Sequence, residues 1–204
     1  QVQQRFVSDV SHELRTPLTT IRMASEVLNE ARDTFDPVAR RSAELLDAEL
    51  GRFEGLLTDL LEISRFDAGV ADLSIEEVNL TDLVRDEIAL QRAFAASQGS
   101  EILFEGPGKL IVDCDTRRIR RILRNLITNA IEHGEGRPVS VHVRADDAAV
   151  AIAVRDHGVG FSAAEAHLVF NRFWRADPAR RRTVGGSGLG LAIALGDARL
   201  HNGW

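Results

Sequence analysis

The sequence predicts two architectures in series: an antiparallel pair of long helices, then an α/β domain. Three observations predict this. Apolar residues recur at helical spacing from Val2 to about Ala31, and again from Pro37 to about Phe66. The small, polar stretch Asp67-Ala68-Gly69-Val70-Ala71-Asp72 then interrupts the pattern. Beyond it, short strand-like runs alternate with helical ones.

The 204 residues suffice for one large domain or two small ones. A hydrophobic content of 44% is that of a globular chain. The net charge of −6 gives no overall electrostatic case for nucleic acid. A single cysteine, Cys114, excludes an internal disulfide and reads as a small core residue. No run approaches the roughly 18 apolar residues of a membrane span, and no secretory signal opens the chain. Gln1-Val2-Gln3-Gln4-Arg5 has no N-cap and starts inside a helix, so an upstream segment is expected.

In the first helix Phe6, Val10, Leu14, Leu18, Ile21 and Leu28 fall on one stripe. At about 100° per residue, His12 lies opposite the middle of that stripe and Thr16 shares its face. Glu13 sits between face and stripe. The imidazole is therefore expected to face water or a docking partner. A neighbouring carboxylate can take the proton from one ring nitrogen and make the other more nucleophilic. A lone His-Glu pair is more often plain surface, and with Thr16 in place of a second histidine it is not a zinc-protease signature. Pro17 removes one backbone donor and predicts a local bend.

Arg32-Asp33-Thr34-Phe35 breaks the first helix. Asp36 then caps the second, with Pro37 at its first position. Leu45, Leu46, Leu50, Phe53, Leu56, Leu57, Leu60, Leu61 and Ile63 give it a full-length stripe. One hairpin cannot bury two such stripes. A four-helix bundle made by two copies is the expected remedy, the alternative being a monomer packed on the downstream domain. The expected domains are 1–68, a linker at 69–76, and 77–204.

In the second domain a strand is expected at Glu77-Val78-Asn79-Leu80, with Thr81 or Asp82 capping a helix to about Ser97. Ile102-Leu103-Phe104 and Leu110-Ile111-Val112 read as strands around the turn Gly106-Pro107-Gly108. Asp115 caps a helix carrying Ile119, Ile122, Leu123, Leu126, Ile127 and Ala130. Pro138 to Ala145 and Ala148 to Val154 are strands hinged at Asp146-Asp147. The expected result is a mixed, mainly antiparallel sheet with helices on one face.

Three segments carry candidate chemistry. Asn125 and Asn129, with Glu132 or His133, line one helix edge. Amide oxygens suit Mg²⁺, although asparagines also serve simply as surface residues. Asp156 ends a strand before Gly158 and Gly160, offering an acceptor for an adenine amino group, or only a turn. Gly185-Gly186-Ser187-Gly188-Leu189-Gly190 precedes a helix, where backbone N–H groups can wrap phosphate. No buried strand precedes it, no Gly-Lys-Ser/Thr lies in it, and no His-Arg-Asp or Asp-Phe-Gly accompanies it, which excludes the Rossmann, Walker and protein-kinase patterns. Residues 171–188 read as a mobile lid. Within it Arg172 and Arg175 flank Phe173-Trp174, and Arg180 to Arg182 read better as a solvated basic face.

These segments occur in a familiar order. The chain resembles the cytoplasmic kinase core of sensor histidine kinases. Ser11-His12-Glu13-Leu14-Arg15-Thr16-Pro17 resembles the H box and Asn125 to His133 the N box. Asp156-His157-Gly158-Val159-Gly160 resembles the G1 box, Phe170 to Arg175 the F box, and Gly186 to Gly190 the G2 box. The wording of the H and F boxes is most like that of actinobacterial Mtr-type sensor kinases. The resemblance implies a dimerisation and histidine-phosphotransfer hairpin followed by a GHKL ATP-binding sandwich. It implies His12 as phosphoacceptor, Glu13 as the adjacent acid-base residue, and Thr16 as the residue that positions water for phosphatase action. It implies Asn129 on Mg²⁺, Asn125 and His133 near the phosphates, and Asp156 on adenine. Gly158, Gly160, Gly186, Gly188, Leu189 and Gly190 would shape pocket and lid. The implied ligands are ATP and Mg²⁺, the partner a response-regulator receiver domain, and the location the cytoplasmic side of an inner membrane. Two departures stand out. Glu132 occupies a position where relatives often carry a base, shifting charge help to Arg172 or Arg175. The chain also reaches Trp204 without the last two strands expected of the sandwich.

Overall fold

The computed structural model describes residues 2–175 and 187–204, with side chains from Leu14 onward apart from Arg15. The chain divides into two compact units, Gln1–Ala71 and Asp72–Trp204.

The first unit is a helical hairpin. Helix α1 spans Val2–Glu30 and continues through Pro17. A short 3₁₀ turn at Arg32–Thr34 leads to α2, Pro37–Asp67. Asp36 caps α2 as expected: its carboxylate accepts the N–H groups of Val38 and Ala39 at 2.8 and 3.1 Å. Between the helices, Arg22 holds Glu26 of its own helix at 3.0 Å and Asp47 of α2 at 3.4 Å. Carboxylates on both helices hold its guanidinium pKa above the ordinary value, the Glu26 hydrogen bond most of all. Little apolar surface is sealed: Ala43, Leu50 and Ile63 are buried in α2. Leu14, Ile21 and Leu28 stay 42%, 49% and 41% exposed, and Phe53 and Leu60 of α2 stay 55% and 50% exposed.

The second unit begins with β1, Glu76–Asn79, and α3, Leu80–Ser97. Here the structure corrects the sequence reading. Leu80 is the first helical residue, and Asn79 is the N-cap in place of Thr81 or Asp82. The reason is long-range. The Leu80 side chain enters the core while its N–H donates to Leu110 O, and Asn79 Oδ1 accepts the Leu110 N–H. Strand β2 is Ile102–Glu105 and β3 is Ile111–Cys114. Helix α4 is Thr116–His133, β4 Val139–Ala145, β5 Val150–Arg155 and α5 Gly190–Leu200.

Among the described residues the strands form two sheets, not one. β1 and β3 pair antiparallel, while β2, β4 and β5 form a mixed sheet with β4 in the centre. The Gly106-Pro107-Gly108 segment therefore carries the chain from one sheet to the other. Alternation along β4 gives the sheet its two faces. Val139, Val141 and Val143 point inward and are fully buried, while Ser140, His142 and Arg144 point outward. On the inner face they meet Val84 and Ile88 of α3 and Leu123, Ile127, Ala130 and Ile131 of α4. Cys114 is buried and free. Burial chiefly raises its thiol pKa, with help from nearby carboxylates.

A buried ionic node joins α4 to α5. Asp197 is fully buried; Arg121 grips it through Nε at 2.6 Å and a terminal nitrogen at 2.7 Å, and Arg118 reaches it at 2.8 Å. Arg118 also donates to Asp72 O at 2.9 Å. Asp115, the α4 cap, accepts N–H groups from Arg118 at 3.1 Å and Ser74 at 2.9 Å. His201 completes the node: Nε2 accepts the Asp115 N–H, so Nδ1 carries the proton it donates to Asp197 O.

Asp197→Ala leaves two guanidinium groups facing an apolar gap. It should cost the second unit about 3 kcal/mol, read as a shifted urea midpoint. Burial alone would raise the pKa of Asp115, but the N–H groups of Ser74 and Arg118 and the charges of Arg117 and Arg118 outweigh it and lower the pKa. A depressed folded pKa gives stability that is present above the unfolded value of about 3.9 and lost as pH falls below it. Unfolding followed from pH 6 to pH 2 should show that loss, and Asp115→Asn should flatten it.

Candidate functional site

The site is built along one edge of α4. The inward edge of the helix carries Leu123, Ile127, Ala130 and Ile131, all buried. Asn125, Asn129, Glu132 and His133 occupy another edge at spacings of three and four. Three loops come to this edge.

The loop before α5 meets Asn125. The Asn125 amide nitrogen donates to Gly190 O at 3.0 Å, and a Cβ on Gly190 would touch the Asn125 side chain. Asn125 is thus engaged with the first residue of α5. Leu189 is buried, and its N–H is taken by Ser187 Oγ at 3.1 Å. Gly188 has φ +72°, and its Cα faces the backbone of Phe173 and Trp174. The Phe173 N–H donates to Gly188 O at 2.9 Å. The loops at 170–175 and 187–190 are therefore joined backbone to backbone, close enough that a side chain at 188 would crowd the join.

The loop after β5 meets the end of α4. Gly158 lies against His133 O so closely that any Cβ would strike it. Asp156 is half-buried; one carboxylate oxygen accepts the Gly158 N–H at 2.9 Å, leaving the other as an acceptor. Gly160 has φ +66° with open space around it. Asn129 sits between these two contacts, half-buried, and its amide makes no hydrogen bond among the described residues. His133 is exposed.

The third approach is electrostatic. Burial raises the Glu132 carboxyl pKa, opposed by His133 and by the Arg175 guanidinium. Arg175 is half-buried and Arg172 exposed. Part of the positive charge Arg175 brings is thus answered by Glu132. Gly186 and Arg180 to Arg182 lie outside the described residues.

In the hairpin, Thr16 is exposed on α1, and its carbonyl accepts Thr20 Oγ1. His12 and Glu13 are helical, and their side chains lie outside the described set. Among the described residues no group of three His, Cys, Asp or Glu side chains could hold a metal ion, and no helix is long and apolar enough to cross a membrane.

Residues 2–69 match the His Kinase A (phospho-acceptor) domain, and residues 114–204 match the histidine kinase-, DNA gyrase B- and HSP90-like ATPase family. The chain is 54% identical over 203 residues to the sensor histidine kinase MtrB of Mycobacterium leprae, covering 99% of this chain and 36% of that protein. The chain belongs to the sensor histidine kinases, with the Mtr-type proteins among its relatives. It is also 38% identical to the histidine-protein kinase AfsQ2 of Streptomyces coelicolor, over all of this chain and 38% of that one. Full-length ShkA, solved in complex with AMPPNP, matches this sensor kinase chain with a TM-score of 0.84 at 26% identity, over 97% of this chain and 41% of that one. The chain spans just over a third of the length of the curated relatives it matches.

Sequence reasoning missed two sets of residues. Asp197 and its arginines read as ordinary charged helix positions, because their pairing spans more than 70 residues. Arg137 lies outside the motif segments, and His157, inside the Asp156–Gly160 segment, drew no role of its own. The Gly134-Glu135-Gly136 turn was the available signal for them.

Gly158→Ala drives a methyl into the His133 carbonyl and should destabilise the second unit by about 1–3 kcal/mol, as overpacking does. Gly160→Ala meets no atom and should cost only the ~1 kcal/mol of a left-handed alanine. Chemical unfolding of the two variants tests that order.

Proposed function

We propose that this chain is the catalytic core of a two-component sensor kinase, which phosphorylates His12 from ATP and passes the phosphoryl group to an aspartate of a response regulator. The observation that carries the reading is the convergence on one edge of α4 of Asn125, Asn129, the Asp156–Gly160 loop and the Gly188–Gly190 loop. That convergence lies in the segment matched by the ATPase family, downstream of the segment matched by the phospho-acceptor domain.

The residues fit the implied ligands. The Asn129 amide, unbonded among the described residues, offers a hard oxygen of the kind Mg²⁺ takes alongside water and phosphate oxygens. The spare Asp156 oxygen can accept an adenine amino hydrogen. The α5 N-terminus, with its closely packed glycines, offers backbone N–H groups to phosphate. When bound, Mg²⁺ neutralises charge on the phosphates. Glu13 takes a proton from one nitrogen of His12 while the other attacks the γ-phosphorus. The bond to the β–γ bridging oxygen breaks and ADP leaves. Thr16, one helical turn beyond His12, would position water for a phosphatase function on the regulator.

Two copies are the proposed assembly. A second hairpin is the natural cover for Leu14, Ile21, Leu28, Phe53 and Leu60, each 41% or more exposed in the single chain.

Incubation with γ-labelled ATP and Mg²⁺ tests the reading. Protein-bound label that is acid-labile, base-stable and lost in His12→Ala is the expected result. Free phosphate without bound label would make the chain an ATPase instead, and neither product would make it a nucleotide-sensing scaffold.

A further inference from the structure

We infer that Arg137 and His157 are positioning residues for the base-reading carboxylate Asp156, forming a clamp between the exit of α4 and the end of β5. This rests on the reading of Asp156 as the adenine acceptor given above.

The clamp starts from a turn. After His133 the chain runs through Gly134-Glu135-Gly136, with Glu135 at φ 55° and Gly136 at φ +72°. The Arg137 N–H closes the turn on Gly134 O at 3.0 Å. Two consecutive left-handed residues closed by this bond describe a tight primed turn, and Glu135 holds that conformation without being glycine. The end of α3 fixes the turn from behind. A Cβ on Gly136 would press on Gln98 O at 3.3 Å, and Ser100 Oγ donates to Arg137 O at 2.7 Å. The backbone of Arg137 is thus held on both sides before its side chain does anything.

From that base the Arg137 guanidinium donates to His157 O at 2.6 Å. Glu135 lies 3.5 Å from another guanidinium nitrogen and steadies it. The return bond runs the other way. His157 Nδ1 lies 3.1 Å from Pro138 O, and since a carbonyl only accepts, Nδ1 carries the proton. Residue 157 is therefore tied twice, by its carbonyl and by its ring, to adjacent residues 137 and 138. On its flanks stand Asp156 and Gly158, and Gly158 is pressed against His133 O. The peptide that aims the Asp156 carboxylate has three fixed points, none of them contributed by Asp156. Neither Arg137 nor His157 touches the Asp156 carboxylate, so both would act through the backbone.

The clamp should matter for base recognition more than for phosphate binding or folding. The Arg137 side chain is 59% exposed, so truncating it should leave the fold intact. The test compares ATP and GTP affinities of the intact chain by calorimetry, with the unfolding temperature as a control. Arg137→Ala should weaken ATP binding about five- to tenfold, the scale of one typical hydrogen bond. GTP binding and the apo unfolding temperature should change little. Arg137→Lys, which keeps one donor, should recover part of the loss. His157→Asn, with an amide donor near the Nδ1 position, should bind ATP better than His157→Ala. Equal losses for ATP and GTP, or unchanged ATP affinity in Arg137→Ala, would overturn the clamp. Asp156→Ala, which removes the acceptor, separates the two levels: if it leaves ATP affinity untouched, the underlying adenine reading fails, and the clamp with it. If it weakens ATP while Arg137→Ala does not, only the clamp fails.

Discussion

Helix α4 has to satisfy two demands at once, and the rest of the second unit follows from how it does so. Its Leu123, Ile127 and Ile131 row must stay dry against Val139, Val141 and Val143 of the central strand. That apolar contact sets the rotation of the helix about its axis. Once the rotation is set, Asn125, Asn129, Glu132 and His133 can project only along the edge where the glycine-bearing loops arrive. The α4–α5 packing and the β5 loop are held by that orientation, through Gly190 at one end and Gly158 at the other. The polar edge is therefore placed by hydrophobic packing on the far side of the same helix.

The Asp197 node secures the N-terminal end of that helix. A carboxylate shared by two guanidinium groups is weak as a source of net stability. It is demanding in geometry, however, because each N–H must find its oxygen. Arg118 and Arg121 lie three residues apart on α4, so one buried acceptor on α5 fixes the separation and register of the two helices. His201 extends the same constraint by one turn, with each ring nitrogen assigned to one backbone group.

What was legible in the sequence was what is encoded locally. Asp36-Pro37 and Asp115 mark helix starts because a cap is satisfied within three residues. The Asp146-Asp147 hinge is likewise local: the Asp146 carboxylate takes the N–H groups of Ala148 and Ala149. The helical hairpin and its unsealed stripes follow from periodicity alone. The start of α3 was misplaced because Asn79 is recruited by Leu110, about thirty residues away, and no local rule contains that partner. The division into two sheets was missed for the same reason, since strand-like residues do not say which strand they join. Within the candidate site, the asparagine pair and the glycine-rich segments stood out by type and spacing. The contacts that hold them, Arg137 to His157 above all, join residues whose types are unremarkable until the chain brings them together.

The backbone groups of Asp72 and Ser74 fix the way the chain enters the second unit. Both are ligands of buried side chains, Arg118 and Asp115, at the head of α4. The first residues of the second unit are thus riveted to the head of α4 before β1 begins. Because both anchors are main-chain groups, side-chain changes at 72 and 74 leave them in place, a proline at 74 excepted.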